Sequence, residues 1–173
     1  MAVPVEQIEL SQGLATQKFL TTSGDGLGTY NLNGNYAAAP TDFYYKATSQ
    51  YDIHSLLIVI TDGAKFNQPD YGAITGGVTN GVKLFVRPAG SAADIALLSG
   101  VAVKQNHEWL SLTHDTNITS FEGLPQTLMV NFNIVTDYGK PITLGIGDKF
   151  IVRLNDDFTG LISHTFGLRG VKA

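Results

Sequence analysis

The chain has 173 residues, of which 43% are hydrophobic and 15% are charged, and it contains no cysteine. A chain of this length fits one domain, residues 1–173, and can bury about 70% of the surface of its unfolded form. The missing cysteines exclude disulfides, thiolate nucleophiles and sulfur-based zinc sites. The net charge of −4, with eleven scattered Lys and Arg residues, argues against a nucleic-acid partner, because phosphate binding needs clustered cations.

The N-terminal part of the chain differs in composition from the rest. Its start, MAVPVEQIEL, lacks the basic segment and apolar stretch of a signal peptide, and no apolar run approaches the ~18 residues of a membrane span. We therefore expect folding in the cytoplasm and no membrane partner. Residues 11–42 are rich in Gly, Asn and Tyr and poor in aliphatic residues. They form either a long surface loop or an irregular arm whose Tyr30 and Tyr36 lie on a neighbouring subunit, since Tyr combines a large contact area with a polar tip.

Strand patterns dominate the remaining sequence. Leu56–Ile60 is continuously apolar, which predicts a central strand that is covered on both faces or lies under a subunit contact. Leu128–Ile134 alternates apolar and mainly polar residues, which predicts a half-buried strand. Further strands are predicted at Val5–Leu10, Phe43–Thr48, Val101–Lys104, Glu108–Leu112, Lys149–Leu154 and Leu161–Arg169.

One hairpin and one short helix complete the predicted elements. Asn80-Gly81 ahead of Val82–Arg87 is typical of a type I′ turn, with a partner strand over Ala73–Val78. Ala92–Leu98 can form two helical turns, and no other window keeps a helical period. Short strands separated by Gly-rich turns predict an all-β fold, a two-sheet antiparallel sandwich for which a jelly roll is the favoured form.

The histidines are the first candidates for chemistry. His107-Glu108 and His114-Asp115 form the densest cluster of potential ligands and bases. On one strand, however, Glu108 and His114 would lie roughly 20 Å apart at ~3.3 Å per residue, and the two histidines would face opposite sides. A polar strand end is therefore favoured over a metal or acid–base site.

The other two histidines also have structural interpretations. His164 falls on the same strand face as Ile162, Phe166 and Leu168, which predicts a hydrogen-bonded core or interface histidine. His54 precedes the apolar strand without an identifiable partner and is interpreted in the same way.

No motif points to catalysis or to a cofactor. Asp156-Asp157 could hold calcium through oxygen ligands, but the calcium-loop spacing is absent and a polar turn is favoured. Gly24–Gly28 lacks the strand-to-helix context of phosphate-binding glycines. Trp109, the sole tryptophan, is assigned to the core in preference to a sugar-binding platform. A cupin-type metal enzyme would need an H-x-H pair, which the sequence lacks, so we expect no enzyme, no metal and no cofactor.

Two stretches carry a family resemblance: residues 78–86, VTNGVKLFV, and residues 154–170, LNDDFTGLISHTFGLRG. From about Tyr51 to the C-terminus, the style of hairpins and strand ends resembles jelly-roll structural proteins of tailed bacteriophage virions, particularly cement or head-decoration proteins. The resemblance implies a homotrimer on the outer capsid surface that bridges major capsid subunits and has no catalytic residues. The low charge fits a surface that other subunits cover.

The expected function is therefore that of a virion structural protein, a capsid cement or decoration protein that folds in the host cytoplasm and ends on the capsid surface. The alternative is a carbohydrate-binding β-sandwich or adhesin module of a phage tail or fibre. The candidate partner contacts are Tyr30, Tyr36, Tyr44 and Tyr45.

Overall fold

The computed structural model describes residues 15–28, 30–63, 65–112, 115–119 and 126–172. Within these ranges, antiparallel strands form a six-stranded and a four-stranded sheet that pack as a sandwich, which confirms the predicted fold class. The strands are β1 (Ala15–Phe19), β2 (Thr41–Lys46), β3 (Tyr51–Asp62), β4 (Lys83–Arg87), β5 (Ile95–Ala96), β6 (Asp115–Thr119), β7 (Gln126–Asn133), β8 (Ile142–Leu144), β9 (Lys149–Leu154) and β10 (Ser163–Lys172). The helical elements are a 3₁₀ turn (Leu98–Gly100), α1 (Asn106–Leu112) and α2 (Ile134–Tyr138).

The chain passes repeatedly from one sheet to the other. The six-stranded sheet has the order β1-β10-β3-β7-β6, with β8 beside one end of β3, and the four-stranded sheet has the order β2-β9-β4-β5. When β6 and β8 are left out, the first strand of the chain pairs with the last, and each following strand pairs with the next strand counted back from the C-terminal end. These pairs are β1–β10, β2–β9, β3–β7 and β4–β5. Two further pairs, β10–β3 and β9–β4, complete the sheets.

Strand β3 is central in the larger sheet, as predicted from its apolar run. Ile58 is fully buried between Phe166 of β10 and Val130 of β7, its partners in the two ladders. Near its start the ladder to β10 contains a bulge that skips His54, which is exposed. Gly170 is required at this bulge because a Cβ there would overlap the backbone oxygen of Asp52.

The predicted strands at 43–48, 128–134, 149–154 and 161–169 correspond to β2, β7, β9 and β10, so these predictions are confirmed within a few residues. Val101–Lys104 is not a ladder strand, because only Val103 forms an isolated bridge, to Val82. The prediction for Val5–Leu10 lies outside the described residues.

The predicted hairpin at Asn80-Gly81 is wrong, because β4 pairs with β9 and β5 and residues 73–78 form turns. The physical reason is Asp156. Its buried carboxylate accepts hydrogen bonds from the backbone N–H groups of Thr79 (3.0 Å), Asn80 (3.0 Å) and Gly81 (2.8 Å). Residues 79–81 therefore curve around the Asp156 carboxylate and do not form a two-residue hairpin turn.

The helix predictions also need correction. Residues 108–112 belong to α1, because Glu108 turns back to accept hydrogen bonds from the N–H groups of Lys104 and Gln105 and so caps the first turn. The predicted helix over Ala92–Leu98 is absent: Ile95–Ala96 forms β5 and the 3₁₀ turn follows. In that turn Leu98 and Ser99 adopt positive φ values of 52° and 54°, a region that non-glycine residues seldom occupy.

The described part of the Gly/Asn/Tyr-rich segment packs on its own sandwich. Its first described residues, Ala15–Phe19, form strand β1 beside β10, so the prediction of an irregular arm or loop over all of residues 11–42 is wrong for them. Leu20 and Leu32 are fully buried, and their N–H groups donate to the carbonyls of Phe166 and His164. The side-chain amide of Asn33 donates to the Leu161 carbonyl at 2.8 Å. The few aliphatic residues therefore insert into the core, while the side chains of Asn31 and Asn33 form hydrogen bonds with backbone groups at the start of β10 and just before it.

His164 lies in the core, as predicted. It is fully buried, its Nε2 lies 2.8 Å from the hydroxyl of Tyr71, and its ring packs 4.6 Å from the ring centroid of Phe166. Burial without a counter-charge lowers the pKa of His164 to about 3. The imidazole is therefore neutral in the folded protein at neutral pH.

Replacing His164 with Gln should remove a pH-dependent part of the stability. The unfolded histidine titrates near 6.5, well above its folded pKa, so its contribution is present above pH 6.5 and is lost as pH falls toward 3. Between pH 7 and pH 5 the wild-type protein should lose about 2 kcal/mol that His164→Gln does not lose. Urea unfolding at the two pH values measures the difference, and parallel losses in both proteins would contradict a buried neutral histidine.

Replacing Asp156 with Ala should destabilise the fold by about 2 kcal/mol, because three backbone donors lose their acceptor. Asp157 is the matched control, since it is the neighbouring acid but is exposed and bonds to Thr159 and Asn35. Thermal and urea unfolding of both variants should show a large loss for Asp156→Ala and a small one for Asp157→Ala. The opposite ranking would show that the carboxylate does not hold the 79–81 segment.

Candidate docking face

The outward side chains of β2, β9 and β4 form one surface, which we call the basic face. Strand alternation places Phe43 and Tyr45 of β2 and Phe150, Val152 and Leu154 of β9 in the core, so their neighbours point outward. The face consists of Asp42, Tyr44, Lys46, Lys83, Phe85, Arg87, Lys149, Ile151 and Arg153, with Asp94 from the segment before β5.

Two arginines and two aspartates form a closed network at the middle of this face. Arg153 donates to Asp42 through Nε (2.6 Å) and Nη2 (2.8 Å), and its Nη2 also lies 2.9 Å from Asp94. Arg87 donates to Asp94 through Nε (2.6 Å) and Nη2 (3.2 Å), and its Nη2 lies 3.4 Å from Asp42. Paired donors on one carboxylate fix the geometry as well as the charge.

The network shifts the pKa values of Arg87, Asp94 and Arg153. The hydrogen bond from Arg87 lowers the pKa of Asp94, and its reciprocal effect raises the pKa of Arg87. Arg153 also has a raised pKa, chiefly through its hydrogen bond to Asp42. Arg87, Asp94 and Arg153 therefore remain charged across the physiological pH range. Because the arginine side chains are about a quarter exposed, solvent screening keeps the energy of each pair small.

Aromatic rings lie beneath the cations. The Arg153 guanidinium lies 4.7 Å from the ring centroid of Phe85, and the Lys149 ammonium lies 4.5 Å from that of Tyr44. Between these rings, Ile151 is only 1% exposed although it points away from the core. Gly24 permits the loop to reach the Tyr44 ring, since a Cβ there would overlap it.

The face carries a positive excess. Its two arginines are balanced by its two aspartates, so Lys46, Lys83 and Lys149 determine its charge. None of these lysines has a carboxylate partner among the residues that the structure describes. In a chain with a net charge of −4, this surface therefore has the opposite sign to the molecule as a whole.

The four candidate tyrosines divide into two groups. Tyr44 is partly exposed on the basic face, and Tyr30 is 43% exposed with its ring 6.4 Å from that of Phe43. Tyr36 packs edge-on against Phe43 of its own chain, with the ring centroids 5.3 Å apart. Tyr45 points inward, is 3% exposed and packs against Tyr51, so its prediction as a partner contact is wrong.

The structure does not assemble the other sequence candidates into a site. His107 Nδ1 lies 3.1 Å from the Gln68 carbonyl, and Glu108 caps α1, while His114 lies outside the described residues. Asp156 and Asp157 form a polar turn, as predicted, and Trp109 is fully buried in the core, as predicted. In the described ranges, no group of three or more His, Asp or Glu side chains could hold a metal ion.

The signal for the basic face is present in the sequence but is spread over three strands. Each strand has a charged residue, an apolar or aromatic residue and a second charged residue at alternate positions: Asp42-x-Tyr44-x-Lys46, Lys83-x-Phe85-x-Arg87 and Lys149-x-Ile151-x-Arg153. Only the pairing of β9 with both neighbours brings these motifs together.

Comparisons of the chain with protein-family models, with curated proteins and with solved structures found no match. Within the part of the chain that the structure describes, no helix has the length and apolar character needed to cross a membrane.

Replacing Arg153 with Met should lower the free energy of unfolding by about 1–2 kcal/mol, because its ion pairs and its contact with Phe85 disappear together. Lys83, its cross-strand neighbour on the same face, is the control. Lys83→Met should change stability by less than about 0.5 kcal/mol, as is usual for an exposed residue without a partner. Equal effects in urea unfolding would show that the network does not stabilise the sheet.

Proposed function

We propose that the chain is a non-enzymatic structural protein of a tailed-phage virion, a capsid cement or decoration protein that attaches through its basic face. The observation that carries this proposal is a surface with three lysines outside any described ion pair, on a chain of net negative charge. Two Arg–Asp pairs hold the centre of that surface in one arrangement before any partner arrives, so these four side chains lose little conformational entropy on binding. Its lysines then attract a negatively charged surface and orient the approach.

The strand connectivity supports the jelly-roll part of the proposal. With β6 and β8 set aside, eight strands remain, and the first pairs with the eighth, the second with the seventh, the third with the sixth and the fourth with the fifth. A folded ribbon wound into two sheets gives this pairing, which is the pairing expected of a jelly roll such as those of viral capsid, lectin and cupin domains.

Exposed apolar residues near the basic face support burial by a partner. Ile146, at the tip of the turn that leads into β9, is 74% exposed, and Ile95 on the edge strand β5 is 56% exposed. Protein interfaces combine such apolar contacts with a charged rim. The proposed partner surface is therefore acidic, with apolar residues among its carboxylates.

We also propose that the protein acts as a homotrimer that bridges neighbouring major capsid subunits. The outer face of the larger sheet has the character of a subunit contact, because Leu57 and Val59 are half-buried there and Met129, opposite Val59, is 38% exposed. Several copies bound to one shell would multiply modest contacts into a stable clamp. The protein would fold in the host cytoplasm and end on the capsid surface.

The alternative, a carbohydrate-binding or adhesin module, has less support. The sugar platform would require an exposed aromatic ring, and Trp109 is fully buried. Tyr44 is exposed in part but has Lys149 over its ring. A glycan array separates the two functions, since specific micromolar binding that depends on Tyr30 or Tyr44 would favour the adhesin.

Reversing the charge of the basic face should abolish attachment. In co-sedimentation with virions of the phage that encodes the chain, Lys46→Glu/Lys83→Glu/Lys149→Glu should bind roughly tenfold or more weakly than wild type, because opposed charges are replaced by like charges. The control Lys65→Glu/Lys104→Glu/Lys140→Glu changes net charge equally at exposed lysines elsewhere and should bind within about threefold. Equal losses in both variants, or no wild-type binding, would contradict the proposal.

A further inference from the structure

Three cations share one cross-strand row at the end of the basic face. Lys46 of β2 is directly opposite Lys149 of β9, and Lys149 is directly opposite Arg87 of β4. Neighbouring strands lie about 4.8 Å apart, and like charges placed directly opposite each other destabilise a sheet. This row therefore needs a counter-charge.

The nearest carboxylates do not supply it. Asp94 is engaged by Arg87 and Arg153 through both oxygens. Asp148, beside the row, accepts the Ala89 N–H at one oxygen and the Gly145 N–H at the other, each at 2.8 Å. Asp94 neutralises Arg87, and neither Lys46 nor Lys149 forms an ion pair with a carboxylate among the described residues.

The row forms one side of a pocket of about 280 Å³. The other side is the turn Pro88–Ser91 together with Gly147. Asp148 fixes both turns, because its two hydrogen bonds join the segment at Ala89 to the segment at Gly145. Gly147 has a φ of 90° and approaches so closely that an added Cβ would lie 3.0 Å from the Cβ of Ala89. The pocket therefore has one side that hydrogen bonds hold in place and one side that is lined by cations.

We infer that this pocket binds a carboxylate side chain of an acidic protein segment, and this inference rests on the proposed function. The volume is slightly below the range of sites for drug-sized ligands and suits one small anionic group. Lys46 and Lys149 both line it and supply positive charge, and the ammonium of Lys149 also lies over the ring of Tyr44. Ile146, the chain neighbour of Gly147, is 74% exposed and so is free to contact an apolar residue of a partner. The occupant is therefore an Asp or Glu with an apolar neighbour on the partner surface.

Amide NMR titration of the full chain with an acetylated hexaglutamate peptide tests the pocket. The largest shifts should fall on Gly90, Ser91 and Gly147, and hexalysine should cause none. Lys46→Ala should raise the dissociation constant roughly fivefold or more, whereas Lys65→Ala should change it less than twofold. Both substitutions remove one exposed lysine, but Lys65 lies outside the basic face and outside the pocket.

Equal weakening by the two substitutions would overturn the pocket and leave only diffuse attraction. Inorganic phosphate binding as tightly as hexaglutamate would overturn the assignment to a side-chain carboxylate. Virion co-sedimentation separates the two proposals. If Lys46→Ala binds virions like wild type and hexaglutamate causes no amide shifts in the pocket, the pocket assignment fails while the docking function stands. If hexaglutamate binds in the pocket but the chain does not bind virions, the docking function fails and the carboxylate site stands.

Discussion

The register in which β9 pairs with β2 and β4 determines both the packing of the core and the charges on the outer face of the smaller sheet. One face of β9 sends Phe150, Val152 and Leu154 into the core, and the other sends Lys149, Ile151 and Arg153 outward. A slip of one residue would exchange the two sets and bury the charges. Asp156, just beyond the end of β9, holds the 79–81 segment ahead of β4 through three backbone hydrogen bonds. Core packing and the outer surface are thus determined by the same strand pairings.

The outer face of the smaller sheet shows how a sandwich can present charge without losing order. The two Arg–Asp pairs restrain each other and cover Phe85, while Ile151 is sealed between aromatic neighbours. The lysines contribute nothing to this arrangement through ion pairs with described residues. They are therefore available to a partner, which is the physical basis of the proposed docking on an acidic surface.

Periodicity in the sequence was sufficient for the two-sheet fold. The runs that became β3, β7 and β9 carry unambiguous apolar patterns, and His164 and Trp109 follow the core faces on which they were expected. Local turn chemistry was not sufficient. Asn80-Gly81 has the sequence of a hairpin turn, but a carboxylate 75 residues away determines its conformation. Helix α1 was missed because its capping residue, Glu108, lies inside a segment that resembles a strand.

The candidate site was harder to predict than the fold. The basic face needs three separate strands in register, and no single segment reveals it. Of the tyrosines selected from composition, Tyr44 lies on that face, whereas Tyr45 points inward because successive residues of a strand alternate sides. The glycines and asparagines of the N-terminal segment were compatible with an arm, and only tertiary contacts of Leu20 and Leu32 show that its described part belongs to the sandwich.

Electron microscopy of the virion at side-chain resolution would show whether the protein attaches through its basic face. Copies of this sandwich should lie on the outer capsid surface, with the four-stranded sheet toward the shell and acidic residues of the capsid protein opposite Lys46 and Lys149. Density that places this sheet toward solvent, or a virion that lacks the chain altogether, would contradict it.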